Sequence, residues 1–225
     1  MRKYCIIFGI LFLTYILGCR SYRPIVGETK TEIQNNLLEM VKTDQIAAFP
    51  KKGIYSDYTD EQWQAFKDSV FQTNQKTIAS YFSTYGYLGY NEVGKEGSNH
   101  FWLLVQHCDH DPKFQKQVLK EMDAHVKKKN ANPQNYAYLF DRVQVNAGKK
   151  QLFGTQVDYL VESTGRAIPR NGLIDSADID TRRTEYRLSP LSEYLNDMTT
   201  MHFEMNKASY TQRGYTEPDL YELTE

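Results

Sequence analysis

The sequence predicts an α+β protein that is mostly α: a multi-helix single domain with one small β-hairpin near residues 151–174. From Thr31 onward, apolar residues recur every three or four positions, the spacing at which side chains share one face of a helix. Between residues 151 and 174 this period gives way to two short extended segments separated by ESTG, which predicts a loose hairpin. Residues 31–206, under 200 in all, fit one mainly helical domain.

Two long helices are predicted in the first part of the domain. Apolar residues at positions 33, 37, 40 and 41 fall on one face of the first, whose pattern fades near Phe49. The second begins at Thr59, and Gln62 three residues later has the form of a capping box. The glycine-punctuated segment YGYLGYNEVGKEGSN follows and predicts a loop, either a plain connector or the edge of a ligand site.

Three more helices are predicted before the hairpin. Ser98 is expected to begin the short apolar helix HFWLLVQHC, and Asp111 followed by Pro112 is a strong start for the next. That helix ends in KKKN, and Asn132-Pro133 begins another. After the hairpin, the chain is expected to return to helix in two pieces divided at residues 189–190, and residues 207–225 form a polar C-terminal tail.

The first residues have the layout of a secretory signal. A short basic start precedes a mostly apolar run from Tyr4 to Leu17, too short for a comfortable membrane span. Ile16-Leu17-Gly18-Cys19 resembles the lipobox of bacterial lipoproteins, in which the chain is cut before a cysteine that then carries lipid. This resemblance implies a signal peptide at residues 1–18, lipidation of Cys19, a tether at residues 19–30 and a membrane-anchored place in the bacterial cell envelope, on the periplasmic or the surface face. The alternatives are an uncleaved anchor and an ordinary secretory signal.

Charge and cysteine content exclude some classes of protein. Loss of Arg2 and Lys3 with the signal reduces the 27 basic residues to 25, against 28 acidic ones, which is not the basic balance of a nucleic-acid-binding domain. The membrane partner would therefore be held by the lipid rather than by net charge. Cys108 is the one cysteine outside residues 1–19, so no disulfide is expected within the domain; a buried thiol is the expected state and a nucleophile the alternative.

The segment QHCDHD, residues 106–111, gathers two histidines and two acids where an apolar helix ends. Asp111 is explained as a helix cap, whereas His107 lies late in a helix too apolar to be a surface element. The histidine spacing does not match a zinc motif, and neither a phosphate-binding loop nor a nucleophile elbow is present, so no metal and no cofactor are predicted. In the helix after Asn132, Asp141 and Arg142 point about 100° apart, so they are not expected to pair with one another.

Three segments together resemble the bacterial family catalogued as domain of unknown function 6624. They are FWLLVQHCDHDPKFQ, AYLFDRVQVNAGKKQLFGTQ and LIDSADIDTRRTEYRLSPLSEYL, with a weaker match at MVKTDQ, covering roughly residues 35–196. The chain departs from the family pattern at Phe153, where tyrosine is frequent, and at Leu88, where Trp-Pro is frequent. The resemblance implies no reaction, but it directs attention to the family's recurrent polar positions.

The chemistry of these positions predicts a candidate site. His107 is the candidate general base, because a neutral imidazole moves protons near neutral pH. The candidate ligand-binding residues offer amide, hydroxyl or guanidinium groups: Gln106, Arg142, Thr155, Gln156 and Arg183. The residues assigned to a polar network are Asp44, Asp109, Asp141, Gln151, Asp180 and Arg182.

Three functional classes remain open from the sequence. The first is an enzyme that activates water for hydrolysis of a small polar or anionic ligand, since no serine or cysteine nucleophile is identifiable. The second is a module that binds such a ligand without turnover. The third is a structural or interaction lipoprotein, in which the polar side chains close on one another.

Overall fold

The computed structural model describes residues 22–223, which form eight α-helices and one two-stranded antiparallel sheet, with 62% of these described residues helical. This confirms the predicted mainly helical fold with a small hairpin. The proposed signal peptide and Cys19 lie outside the described residues. Within residues 22–223, no helix is both long enough and apolar enough to cross a bilayer.

Five helices form an up-and-down bundle. They are α1 (Gly27–Ala48), α2 (Asp60–Tyr85), α3 (Tyr90–Gln106), α4 (Pro112–Lys127) and α5 (Pro133–Asn146), with a 3₁₀ turn at Gly53–Tyr55. The helix α1 packs against α2 and α3, while α5 packs against α4 and α3. The main core lies between these helices and includes Leu37, Ile78, Phe101, Leu104 and Met122, each almost completely buried.

Three of the predicted helix starts, at Thr59, Asp111 and Asn132, are present. Thr59 and Gln62 form the reciprocal capping box at the start of α2. Asp111 accepts a hydrogen bond from the Phe114 amide at 3.0 Å, and Asn132 caps α5 in the same manner. These short polar side chains satisfy amides that the first turn of a helix leaves without an internal partner.

The prediction of a loop through residues 85–98 is wrong for most of its length. The helix α3 begins at Tyr90, well before Ser98, and has one non-helical residue, Gly94, with φ of +72°. Gly97 is buried against the Val93 side chain, where a Cβ would lie only 3.0 Å from Val93 Cβ. These glycines therefore allow a kink and a close approach inside a helix, and do not mark a connector.

The chain after the bundle forms a smaller layer. It contains β1 (Val157–Tyr159), β2 (Ala167–Pro169), α6 (Ile179–Glu185), α7 (Leu191–Met205) and α8 (Lys207–Gln212). The strands pair with Val157 opposite Pro169, and both contact α7. Phe153 and Leu188 join this layer to Ala137 of α5 in a second apolar cluster.

Both ends of the described chain pack on the rest of the domain. The helix α1 begins at Gly27, inside the segment predicted as a tether, and Arg23 N donates to Thr84 O at 3.0 Å. At the other end, the predicted polar tail includes α8 and then packs on the hairpin, where the Tyr221 hydroxyl donates to Ala167 O at 2.8 Å. Polar composition did not reveal these contacts because they are made with distant parts of the chain.

Candidate functional site

His107 and Asp44 form a hydrogen-bonded pair at the end of α3. The side chain of Asp44, on the inner face of α1, is only 1% exposed, and its Oδ2 lies 2.6 Å from His107 Nδ1. His107 is the C-cap of α3, and its side chain remains 18% exposed. Its Nε2 has no hydrogen-bond partner within residues 22–223. A carboxylate that accepts from Nδ1–H fixes the tautomer that keeps a lone pair on Nε2.

Two neighbours complete the surroundings of this pair. The Gln45 amide donates to Asp44 Oδ2 at 3.2 Å, and the ring of Phe71 lies 5.2 Å from the imidazole between centroids. The second carboxylate oxygen, Asp44 Oδ1, is buried without a partner in the described part of the chain. This oxygen can therefore accept a further hydrogen bond.

A second acid, Asp109, lies two residues beyond His107 and is heavily hydrogen-bonded. Arg142 donates to both of its oxygens, from Nε at 2.8 Å and from Nη2 at 2.5 Å. Asn146 and Gln115 also donate to Asp109 Oδ1. Desolvation by burial raises the pKa of Asp109, but the Arg142 charge and these hydrogen bonds together outweigh it and lower the pKa below its ordinary value.

Gln115 connects this acid to the end of α3. Its amide nitrogen donates to the carbonyls of Val105 and Gln106 at 3.2 Å each, and so satisfies acceptors that the end of the helix leaves free. Its Oε1 is a further buried acceptor without a partner among the described residues. The side chain of Gln106 itself is buried beside this network.

Cys108 is not a nucleophile in this arrangement. Its thiol donates to Leu104 O at 3.3 Å, and the residue is 1% exposed. Burial raises the pKa of the thiol well above its ordinary value, and the neighbouring carboxylates, Asp44 first, raise it further. The reactive thiolate is therefore disfavoured, as expected for a buried cysteine.

Asp141 belongs to a separate cluster on another face of α5. Its carboxylate is fully buried and accepts hydrogen bonds from the amides of Leu152, Phe153 and Thr155, and from the Thr155 hydroxyl at 3.0 Å. Burial raises the pKa of Asp141, and these donors oppose that rise. Asp141 thus holds the loop before β1, and it does not pair with Arg142, as the helical geometry predicts.

The remaining predicted residues complete that second cluster. Gln151 donates to the carbonyls of Gln156 and Arg170 and accepts from the Gln156 amide. Arg183 is 1% exposed; it donates to Ser189 O and Phe153 O at 2.6 Å each, and burial lowers its pKa. Every partner named in these contacts is a backbone group, so Gln151 and Arg183 hold the loops around them in place.

Arg182 and Asp180 hold neighbouring segments in the same way. Arg182 donates to Leu152 O at 3.3 Å and also bonds Asp175, while Asp180 accepts from the Leu191 amide at 2.7 Å and so joins α6 to α7. Both contacts keep the chain after the hairpin in place.

Among the described residues, no side-chain hydrogen bond links the two clusters, although α5 carries a member of each. The first contains Asp44, His107, Asp109, Gln115 and Arg142; the second contains Asp141, Gln151, Thr155, Gln156 and Arg183. Four cavities of about 220 to 420 Å³ are lined by residues of neither cluster. In the part of the chain described, no group of three or more His, Cys, Asp or Glu side chains is arranged to hold a metal.

Sequence reasoning missed several members of these clusters. Gln115 and Asn146 hold Asp109, Phe71 lies against the imidazole, and the Tyr194 hydroxyl donates to Thr155 O at 2.7 Å. Gln115 lies three residues before the buried Val118, and Asn146 lies three residues after the buried Val143, so each shares a helix face with a buried residue. This three-residue spacing was the signal that the sequence offered.

Comparison with known proteins agrees with the resemblance seen in the sequence. No curated protein and no solved structure matches the chain significantly. One family profile matches residues 31–203, well over half of the chain and all of both clusters, and its description is a family of unknown function, DUF6624. The chain therefore belongs to the DUF6624 family.

Proposed function

We propose that this protein is a cell-envelope lipoprotein whose helical domain hydrolyses a small polar or anionic ligand, with His107 as the general base. The observation that carries the proposal is the 2.6 Å contact between His107 Nδ1 and the buried Asp44 carboxylate. It leaves Nε2 as the basic atom of a partly exposed imidazole, the arrangement that general-base catalysis requires.

The proposed steps use groups that lie at the same end of the bundle. His107 Nε2 accepts a proton from water as the water oxygen bonds to the acyl carbon or phosphorus of the ligand, and Asp44 stabilises the imidazolium that forms. The imidazolium then returns the proton to the leaving oxygen as the bond between that oxygen and the attacked atom breaks. Arg142 uses Nε and Nη2 on Asp109, and its remaining N–H groups are available to an anionic part of the ligand. Gln106 is a further candidate contact, whereas Thr155, Gln156 and Arg183 act as loop supports.

The envelope location rests on the lipobox-like residues 16–19. Metabolic labelling with a radioactive fatty acid tests it: we expect label on the full chain and none on a Cys19→Ala variant. Equal labelling of both chains would reject Cys19 as the lipidation site.

The catalytic role is tested with two substitutions and a matched control. Wild type, His107→Gln and Asp44→Asn are compared in hydrolysis of p-nitrophenyl acetate and p-nitrophenyl phosphate. His110→Gln is the control, because His110 is exposed and lies three residues from His107. We expect loss of about 100-fold in rate for His107→Gln and a smaller loss for Asp44→Asn, with no change for His110→Gln.

A non-catalytic binding module is the second candidate. It is favoured by two buried acceptors beside His107, Asp44 Oδ1 and Gln115 Oε1, which have no donor among the described residues and could accept hydrogen bonds from a polar ligand. Native mass spectrometry of wild type and His107→Gln separates the two: a co-purifying ligand that is lost in the variant, without hydrolysis of either ester, supports binding alone. If wild type and His107→Gln hydrolyse both esters equally, the general-base proposal is wrong.

A further inference from the structure

The segment just after the proposed lipidation site is packed on the bundle. The Tyr22 hydroxyl donates to Glu121 of α4, Arg23 N donates to Thr84 O at 3.0 Å, and Ile25 packs against the main core. The Tyr22 ring covers Gly86, where an added Cβ would lie 2.8 Å from the ring. The chain is therefore fixed to one end of the bundle from Tyr22 onward.

This arrangement leaves little chain between Cys19 and the bundle. Two residues, Arg20 and Ser21, separate Cys19 from Tyr22, and an extended chain covers at most about 11 Å over these three steps. If Cys19 carries lipid, as proposed above, the end of the bundle that holds Tyr22 and Arg23 must lie next to the bilayer. We call this end the tether end; it comprises residues 22–30, 85–92 and 121–131.

Basic side chains are concentrated at the tether end. The helix α4 ends there at Lys127, and Lys128 and Lys129 follow it directly; all three lysines are exposed. The residue that follows, Asn130, accepts from the Tyr90 amide through its carbonyl and from the Asn91 amide through its side chain. These contacts place the three lysines beside the start of α3.

Two further cations join them. Lys30 donates to Asn91 O at 3.0 Å, and the exposed Arg23 lines a cavity of about 420 Å³ that Asn91 and His125 also line.

Most of the acids at the tether end are already occupied by hydrogen bonds or an ion pair. Glu121 accepts from Tyr22 and from the Tyr87 amide, and Glu92 accepts from Asn130. Asp123 pairs with Lys127 at 2.6 Å. These three carboxylates keep their negative charge but are only partly exposed, whereas the fully exposed charged side chains of this end are Arg23, Lys127, Lys128 and Lys129 against Glu28. Counted in full, the five basic and four acidic side chains of this end give a balance of +1, although the whole chain carries −1.

We propose that the tether end is a docking surface for anionic phospholipid. Lysine and arginine near a bilayer attract its negative headgroups, and tyrosines such as Tyr22, Tyr85 and Tyr90 suit the interface. The lipid on Cys19 and this surface together give the two-part attachment that stable membrane binding requires. Docking also orients the molecule: Asp44 lies 17 residues beyond Gly27 on α1, so His107 is presented about 25 Å from the membrane side.

Energy transfer from two labelled positions tests this orientation. Full-length lipidated protein carrying Lys128→Cys or Ser56→Cys receives one fluorophore and is reconstituted into vesicles with headgroup-attached acceptors. The vesicles contain phosphatidylcholine alone or with about one third phosphatidylglycerol. Position 56 lies beyond the far end of α1, about 33 Å along the helix, and Cys108 is buried and labels poorly.

We expect phosphatidylglycerol to increase transfer from position 128 about twofold at low salt, with reversal at high salt and little change at position 56. Lys127→Glu with Lys129→Glu should abolish the increase, whereas Lys51→Glu with Lys52→Glu, at the far end, should preserve it. An increase that is absent, or that both pairs abolish, overturns the proposal.

Flotation of the same proteins separates docking from lipidation. A lipid anchor on Cys19 predicts flotation with neutral vesicles at any salt concentration. If the chain floats only with anionic vesicles, and only at low salt, the lipidation proposal fails while the docking surface is supported.

Discussion

At the residue scale, Asp109 makes stability depend on pH in a predictable direction. Its pKa is lowered in the folded state, so the pairing with Arg142 stabilises the fold above the unfolded pKa near 4 and is lost as pH falls through the folded value. Because both side chains are partly exposed, with 27% for Arg142 and 44% for Asp109, solvent screening limits the pair to about 0.5–1 kcal/mol.

Arg142→Gln measures this contribution. Urea denaturation at several pH values should find the variant less stable than wild type by about 0.5–1 kcal/mol at pH 7, with the difference shrinking below about pH 4. Arg170→Gln is the matched control, because it breaks the more exposed pair between Arg170 and Asp158. A difference for Arg142→Gln that persists unchanged at pH 2.5 would show that the variant acts through something other than this ion pair.

At the element scale, helix starts marked by a side-chain cap were predictable, whereas the start of α3, which has no such cap, and the tertiary pairings were not. Thr59, Asp111 and Asn132 act within their own turns, so spacing alone identifies them as caps. The His107–Asp44 pair joins residues 63 apart in sequence, and it forms only because α1 packs on α3. The apolar helix around it singled out His107, and the family resemblance pointed to Asp44, but which atoms meet depends on how the helices pack.

Gly86, at the end of α2, controls the docking of the segment that follows the proposed lipid anchor. Its φ is +76°, and a methyl group there would meet the Tyr22 ring. Gly86→Ala should therefore destabilise the fold by about 2–3 kcal/mol and speed hydrogen exchange of the Arg23 amide. Gly148→Ala is the control, because φ is +69° with open space around it, so it measures backbone strain alone at about 1 kcal/mol. Equal losses in the two variants would mean that Tyr22 does not constrain Gly86.

At the scale of the whole molecule, the bundle and the layer after it are joined by polar contacts as much as by apolar packing. Asp141 of α5 holds the loop that leads into β1, and Gln134 at the start of α5 donates to Arg187 O at 2.5 Å. The Tyr136 and Tyr186 rings stack at 5.6 Å between these contacts. Removal of one of these contacts should therefore weaken the interface between the bundle and the second layer more than it weakens the core of the bundle.

Asp141→Ala tests this division of the molecule. The substitution leaves the amides of Leu152, Phe153 and Thr155 buried without their acceptor, so we expect a loss of about 3 kcal/mol in the free energy of unfolding. Hydrogen exchange should accelerate at those amides and in α7, while α1 and α3 keep their protection. Asp158→Ala, at an exposed strand position, controls for loss of a carboxylate. If exchange in Asp141→Ala rises equally in α3 and in the hairpin, the two layers unfold as one unit, and Asp141 then stabilises the whole domain and not a joint within it.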